Sequence, residues 1–135
     1  MRSQIEGLAN LIGSQYNNFN VDIKPFFKNL PVQLIPARDF TYLNLKEIKI
    51  REKTILISCG KKSVKASIFL KKKYEGLVFN IHIQDPKIQH SLFDLIICPE
   101  HDNLNKSNSI STLLALHNIN FNKLPKSEDT INFII

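Results

Sequence analysis

Apolar residues along the chain recur with two different periods, and the change of period marks out the elements. Near the start, Ile5, Leu8, Ala9 and Ile12 fall at the i, i+3, i+4, i+7 spacing of one helical face. Ser3 and Glu6 give this stretch the Ser-x-x-Glu form of a capping box, which makes Ser3 the expected N-cap. Gly13 supplies the stop. Val21-Asp22-Ile23-Lys24 alternates as a short strand does, and residues 25–53, interrupted by Pro31 and Pro36, are a mixed segment with a short helix expected around 41–48.

From residue 54 the pattern sharpens. Thr54-Ile55-Leu56-Ile57-Ser58-Cys59 is a continuous apolar and β-branched run closed by Gly60, as expected of a strand buried on both faces. Residues 61–74 carry helix formers with Val64, Ile68 and Leu70 among lysines, and Gly76 ends the segment. Strands are predicted over 77–83 and 92–98, separated by the turn Gln84-Asp85-Pro86. Strand, helix, strand at this spacing implies right-handed crossovers and a mainly parallel sheet with flanking helices. The expected fold class is therefore α/β and Rossmann-like. Residues 103–109 read as turn, 123–129 as a connector and 131–135 as a strand. In a doubly wound sheet the first helix follows a strand in the middle of the sheet, whereas here a helix opens the sequence. Both ends of the chain therefore read as cut.

The composition narrows the class. A chain of 135 residues with 43% hydrophobic content and a mean hydropathy of −0.12 can bury about two-thirds of its unfolded surface in one core. No apolar run approaches the roughly 20 residues of a membrane span, and Glu6 and Gly7 interrupt what a secretory signal would need. A cytosolic, cytoplasmic location is the expectation. Cys59 and Cys98 have no Cys-x-x-Cys or Cys/His spacing, so they read as buried reduced thiols and no metal site is expected. The net charge of +6 and pI of 9.4 raise nucleic acid as a partner. Against it, Arg2, Arg38 and Arg51 are the only arginines, and the lysines are scattered rather than gathered in one stripe. No specific nucleic-acid contact is expected; a Lys, Ile and Asn excess reads as A/T-rich coding.

Ligands of open parallel sheets bind outside the carboxyl ends of the strands, and three polar clusters sit there. Cys59-Gly60-Lys61-Lys62-Ser63 offers a glycine and a helix N-terminus to an anion, or is an ordinary strand-to-helix turn. It is not a Walker loop, because that pattern needs a second glycine where Ile55 stands. His82-Ile83-Gln84-Asp85-Pro86-Lys87 has His82 and Gln84 on one side and reads chiefly as capping, with Asp85-Pro86 opening a helix. Pro99-Glu100-His101-Asp102 is open to three readings. His101 could be a general base oriented by Asp102 or Glu100, the group could bind a sugar hydroxyl or a metal, or it could be a polar turn.

The third cluster, in its setting, carries a family resemblance. Phe93-Asp94-Leu95-Ile96-Ile97-Cys98-Pro99-Glu100-His101-Asp102, then Asn108-Ser109-Ile110-Ser111-Thr112 and Ala115-Leu116-His117, resemble the signature of the elongated-mitochondria fission-factor family. That family is found in plants and α-proteobacteria and is often labelled nucleoside-diphosphate-sugar epimerase in bacteria. Gln4 with Gly7-Leu8-Ala9, Gly60-Lys61-Lys62-Ser63 for a Gly-Arg-Arg-like turn and Gln84-Asp85-Pro86 for Gln-x-Asp-Pro match in the correct order through nearly the whole chain. Lysines stand where arginine is usual after Gly60, which weakens bidentate phosphate contact.

The resemblance implies a GT-B-like glycosyltransferase architecture of two Rossmann-like domains with a cleft between them. On that basis residues 1–124 are an N-terminal domain lacking its first strand, and 125–135 are a linker and the first strand of a missing C-terminal domain. It implies an α-proteobacterial source and a split or decaying gene. It places His101 and Asp102 as catalytic or sugar-contacting groups, with Gly60, Lys61, Ser63 and Asp85 lining the cofactor side of the cleft. The sugar nucleotide would sit mainly on the second domain, so none is expected to bind this chain alone, and activity would need a separate chain supplying that domain. The alternative reading it implies is non-enzymatic: plant members are adaptors that recruit a dynamin-like protein to a membrane, and the scattered lysines would make a weak anionic membrane contact.

Overall fold

A computed structural model of the chain describes residues 2–12, 16–102, 104–112 and 130–134; the side chains of residues 2, 3, 10, 11, 101 and 130–134 are outside that description. The fold is α/β and Rossmann-like, and every strand pair in its sheet is parallel. In chain order the principal elements are α1 (Arg2–Ile12), β1 (Tyr16–Phe19), α2 (Pro25–Lys28), β2 (Thr54–Cys59), α3 (Lys61–Lys73), β3 (Val78–Ile83), β4 (Leu95–Pro99), β5 (Ser109–Thr112) and β6 (Thr130–Ile134). Across the sheet the order is β1-β6-β2-β3-β4-β5.

The unbroken apolar runs predicted for the central strands are explained by helices on both faces. β2 is buried at all six positions. Its odd residues Ile55, Ile57 and Cys59 join Ile81, Ile83, Leu95 and Ile97 of β3 and β4 under Ile5, Leu8 and Ala9 of α1. Its even residue Leu56 packs on the opposite face against Ala66 and Leu70 of α3 and against Val21, Ile35 and Leu45 of the long β1–β2 connection. Ile96 and Cys98 of β4 meet Val64 of α3, Val32 and Phe93 in a third cluster.

Several local expectations change. Ser3 lies inside α1 rather than capping it. The alternation at 21–24 does not make a sheet strand: Ile23 forms an isolated antiparallel bridge to Tyr42, while the sheet strand lies earlier at Tyr16–Phe19. No helix spans 41–48; two 3₁₀ turns, Asp39–Thr41 and Leu45–Glu47, flank an extended Tyr42 with φ −115° and ψ 154°. The reason is local side-chain bonding. Asn44 donates to the Asn20 carbonyl at 2.6 Å and accepts the Asp22 amide at 3.1 Å, holding the two segments side by side instead of letting either coil. Residues 109–112, for which no strand is predicted from the sequence, form the edge strand β5.

The strand expected at 131–135 is present as β6. The family resemblance implies a place for it in a second domain; here its backbone pairs on both sides within this sheet, with β1 and with β2. β1 and β2 do not pair with each other, so a place one strand wide lies between them. The resemblance residues Ala115, Leu116 and His117 and the connector at 123–129 lie outside the described residues.

Candidate functional site

Because β2, β3 and β4 are parallel and paired in register, Ser58 with His82 with Ile96, their carboxyl ends open on one edge. The three polar clusters predicted from the sequence follow those ends.

At the tip of β2 the chain reverses into α3 through Gly60, whose φ of 80° and ψ of 166° is a conformation that side-chain-bearing residues rarely adopt. Lys61 and Lys62 are exposed, whereas Ser63 is buried. The Ser63 hydroxyl bonds backward, 2.9 Å from the Cys59 carbonyl and 3.0 Å from that of Gly60. It fastens the first turn of α3 to the strand and is turned away from the rim.

At the tip of β3 no helix follows Asp85-Pro86. Gln84 and Lys87 have φ of 84° and 56°, and a left-handed residue at 87 stops a helix before its first turn closes. Asp85 is still a cap, but of a turn: its Oδ1 accepts the Lys87 amide at 2.9 Å. Its other oxygen takes the Lys87 ammonium at 2.7 Å, and His90 Nε2 stands 3.3 Å from Oδ1. Burial alone would raise the carboxyl, but the side-chain and backbone bonds from Lys87, with His90, outweigh it and hold Asp85 at about 2. Its lone pairs are committed, so it orders the loop and is a poor base. Asp85 in turn raises the Lys87 pKa.

At the tip of β4, Glu100–Asp102 is a 3₁₀ turn. The backbone of His101 is on it; the His101 side chain lies outside the described residues. Asp102 is close enough for its charge to act on Lys87. Cys98, one turn behind, is raised first by burial and then by the charges of Asp102 and Asp85, against hydrogen bonds that lower it. Asp85, Lys87 and Asp102 therefore form one corner of the rim, with Gly60 and Lys61 just past the end of the neighbouring strand β2. Among the described residues no group of three His, Cys, Asp or Glu stands as a metal-ligand set.

Two polar features inside the sheet escaped the sequence reading. Ser58 and His82 are wholly buried neighbours on β2 and β3, with Ser58 Oγ 2.8 Å from His82 Nδ1 and 3.2 Å from the Ile81 carbonyl. Each hydrogen is used once if Nδ1–H donates to Ser58 and the hydroxyl donates to Ile81, which assigns the Nδ1–H tautomer. Burial lowers the His82 pKa to about 4, against a small opposing pull from Asp85. A serine and histidine with no solvent access are a structural pair rather than a nucleophile. The second feature is Asn80 at the heart of the sheet, bonded to Asp94 on the approach to β4. The only sequence signal for either was a polar residue at an even position of an apolar strand.

A family model described as Mitochondrial fission ELM1 matches residues 1–133. No curated protein and no solved structure matches the chain.

Proposed function

The chain belongs to the mitochondrial fission ELM1 family, and from that premise we propose that it is a Rossmann-like half of a GT-B-like protein that transfers glycosyl groups from a sugar nucleotide when a second domain completes the cleft. The observation that supports this reading is the shared rim. Three adjacent parallel strands bring Gly60-Lys61, the Asp85–Lys87 turn and the Glu100–Asp102 turn to one edge, the edge where such sheets take their ligands.

In this reading Lys61, beside the amides at the start of α3, meets an anionic group, while Lys87, fixed by Asp85 at 2.7 Å, supplies a second cation. His101 is the acid or base that moves the acceptor proton, and Asp102 is the carboxylate that favours its charged form. Ser63 contributes by holding α3 at the right height rather than by touching the donor. A thermal-shift measurement with a nucleoside-diphosphate sugar at about one hundred times its Kd tests this. A polypeptide extended by the second domain should gain roughly 3 kcal/mol, seen as about 5–10 °C, and the present chain should gain nothing measurable. Stabilisation of neither would overturn the transferase reading. In the extended protein, His101→Ala should lower turnover at least tenfold with the Tm unchanged; full activity would remove His101 from the site.

A second reading, a non-enzymatic module that docks on an anionic membrane surface, is favoured by a different observation. Phe26 is 81% exposed and Phe40 51% exposed, and Phe27 lies between them, edge-on to Phe26 at 5.0 Å and tilted to Phe40 at 6.1 Å between centroids. The Lys24 amide donates to the Thr41 carbonyl at 3.0 Å, which joins the two segments that carry this aromatic group, and Lys24, Lys28 and Arg38 lie beside these rings in the sequence. Exposed aromatic side chains with cations close by in the sequence suit a lipid interface, each cation near the surface adding about 1 kcal/mol. Co-sedimentation with vesicles containing phosphatidylserine should fall with salt and drop at least fivefold in Phe26→Ala/Phe40→Ala. Equal pelleting of the wild-type chain with neutral vesicles would count against it.

A further inference from the structure

Among the described strands, β6 lies farthest across the sheet from the strand that precedes it in the chain. β2, β3, β4 and β5 lie side by side in chain order, and then the chain returns four strand positions to enter between β2 and β1. At about 4.8 Å per position that is a traverse of roughly 19 Å. By number alone, the 17 residues 113–129 are enough for that distance, since a chain of this length spans at most about 55 Å.

The slot itself is specified on both walls. Ile131 is paired with Tyr16 on one side and Ile55 on the other, Asn132 with Asn17 and Leu56, Phe133 with Asn18 and Ile57, and Ile134 with Phe19 and Ser58. With β6 withdrawn, β1 would keep no partner in the sheet, and β2 would present an open, apolar edge. In doubly wound sheets this middle position belongs to the strand that leads directly into the first helix, anchored by a short local connection. Here α1 leads into β1, but the middle strand comes from the other end of the sequence. The slot is thus a strand-acceptor site filled by a segment distant in the sequence from both of its walls.

We propose that Thr130–Ile134 is an exchangeable strand, and that the slot between β1 and β2 accepts the same segment of a second copy to give a reciprocally swapped dimer. A second copy is the occupant that fits, because it carries the identical residues for the identical register and, in a two-fold arrangement, leaves no slot empty. The balance is set by concentration. Attachment to the same chain gives its own strand an effective concentration of order millimolar, so micromolar solutions hold closed monomers, and swapping competes as the chain itself approaches millimolar. This inference uses only the sheet order and stands independently of the proposed activity.

The full chain carrying Asn17→Cys/Asn132→Cys tests it. These residues are register partners in β1 and β6 and Asn17 is exposed; neighbouring strands bring Cα atoms within the range a disulfide spans. Unfolded protein is refolded at about 5 μM and at about 1 mM, oxidised, and run on a non-reducing gel beside Asn17→Cys alone. The dilute sample should contain an internally crosslinked monomer, and the concentrated one a covalent dimer at several times the level of the single variant, with the same circular dichroism. Monomer alone at both concentrations would overturn the exchange, and absence of any crosslink would overturn the placement of the strand. Should the double variant not fold, the wild-type chain refolded at 1 mM answers the same question by size exclusion: a dimer that persists on dilution supports exchange, and a monomer refutes it.

Discussion

Asn80→Ala is expected to lower the unfolding free energy by about 3 kcal/mol, measured by urea denaturation, with a Tm lower by roughly 10 °C. The size of the effect comes from how many partners this one side chain satisfies. Asn80 is fully buried in β3. Its amide nitrogen donates to the Leu92 carbonyl at 3.2 Å and reaches Ser67 of α3 at 3.4 Å, while its oxygen accepts the Asp94 amide at 2.9 Å. Asp94 returns the contact by accepting the Asn80 backbone amide at 2.8 Å, and its other oxygen takes the Lys71 ammonium at 2.7 Å. The clamp is reciprocal, and it fixes the chain that enters β4 against both the middle of β3 and helix α3. Alanine would strip the part-buried Leu92 carbonyl of this donor, a desolvation cost of about 1–3 kcal/mol, would leave a gap in the fully buried interior, and would leave the Asp94 amide only the Asn80 backbone carbonyl at 3.1 Å. Asp94→Asn retains the backbone contacts and gives up the partly exposed lysine pair, so it should cost about 1 kcal/mol. If Asn80→Ala cost no more than Asp94→Asn, the clamp would not be what joins the two strands.

This clamp also marks the boundary of what sequence patterning could convey. β2, β3 and β4 were legible because helices cover both faces, and burial on both faces forces an unbroken apolar run such as Ile55-Leu56-Ile57. β1 was not legible: Tyr-Asn-Asn-Phe has its two asparagines exposed, and a short strand near the sheet's edge needs backbone pairing more than apolar burial. β6 was legible as a strand but not in its position, since periodicity encodes which residues are buried and carries no information on sheet order. The rim was legible in outline for the same reason that the parallel class was. Its details depended on two left-handed residues, Gln84 and Lys87, which are neither glycine nor asparagine and so gave no warning that the Asp85-Pro86 cap would end in a turn held by its own lysine.

Acid should destabilise the folded chain through His82, and by more than any other single described group. His82 is buried between Ser58, at 2.8 Å, and the Phe93 ring, at a centroid distance of 5.2 Å. Burial lowers its pKa to about 4, with Asp85 pulling weakly the other way; in the unfolded chain the ordinary value near 6.5 applies. Between those values the unfolded state holds the extra proton, so stability rises with pH across the window and is lost as pH falls from 6.5 towards 4. A difference of this size corresponds to about 3 kcal/mol, enough to take a domain of ordinary stability close to unfolding. The window lies just above that of Asp85, whose stabilising contribution is lost only as pH falls below the ordinary carboxylate value towards 2. His82→Leu removes the titration while the Ser58 hydroxyl keeps the Ile81 carbonyl, 3.2 Å away, as its acceptor. Urea midpoints taken from pH 7 to pH 4 should therefore fall steeply in the wild-type chain and stay nearly flat in the variant. Equal slopes in the two proteins would mean that the buried imidazole is not what the proton seeks.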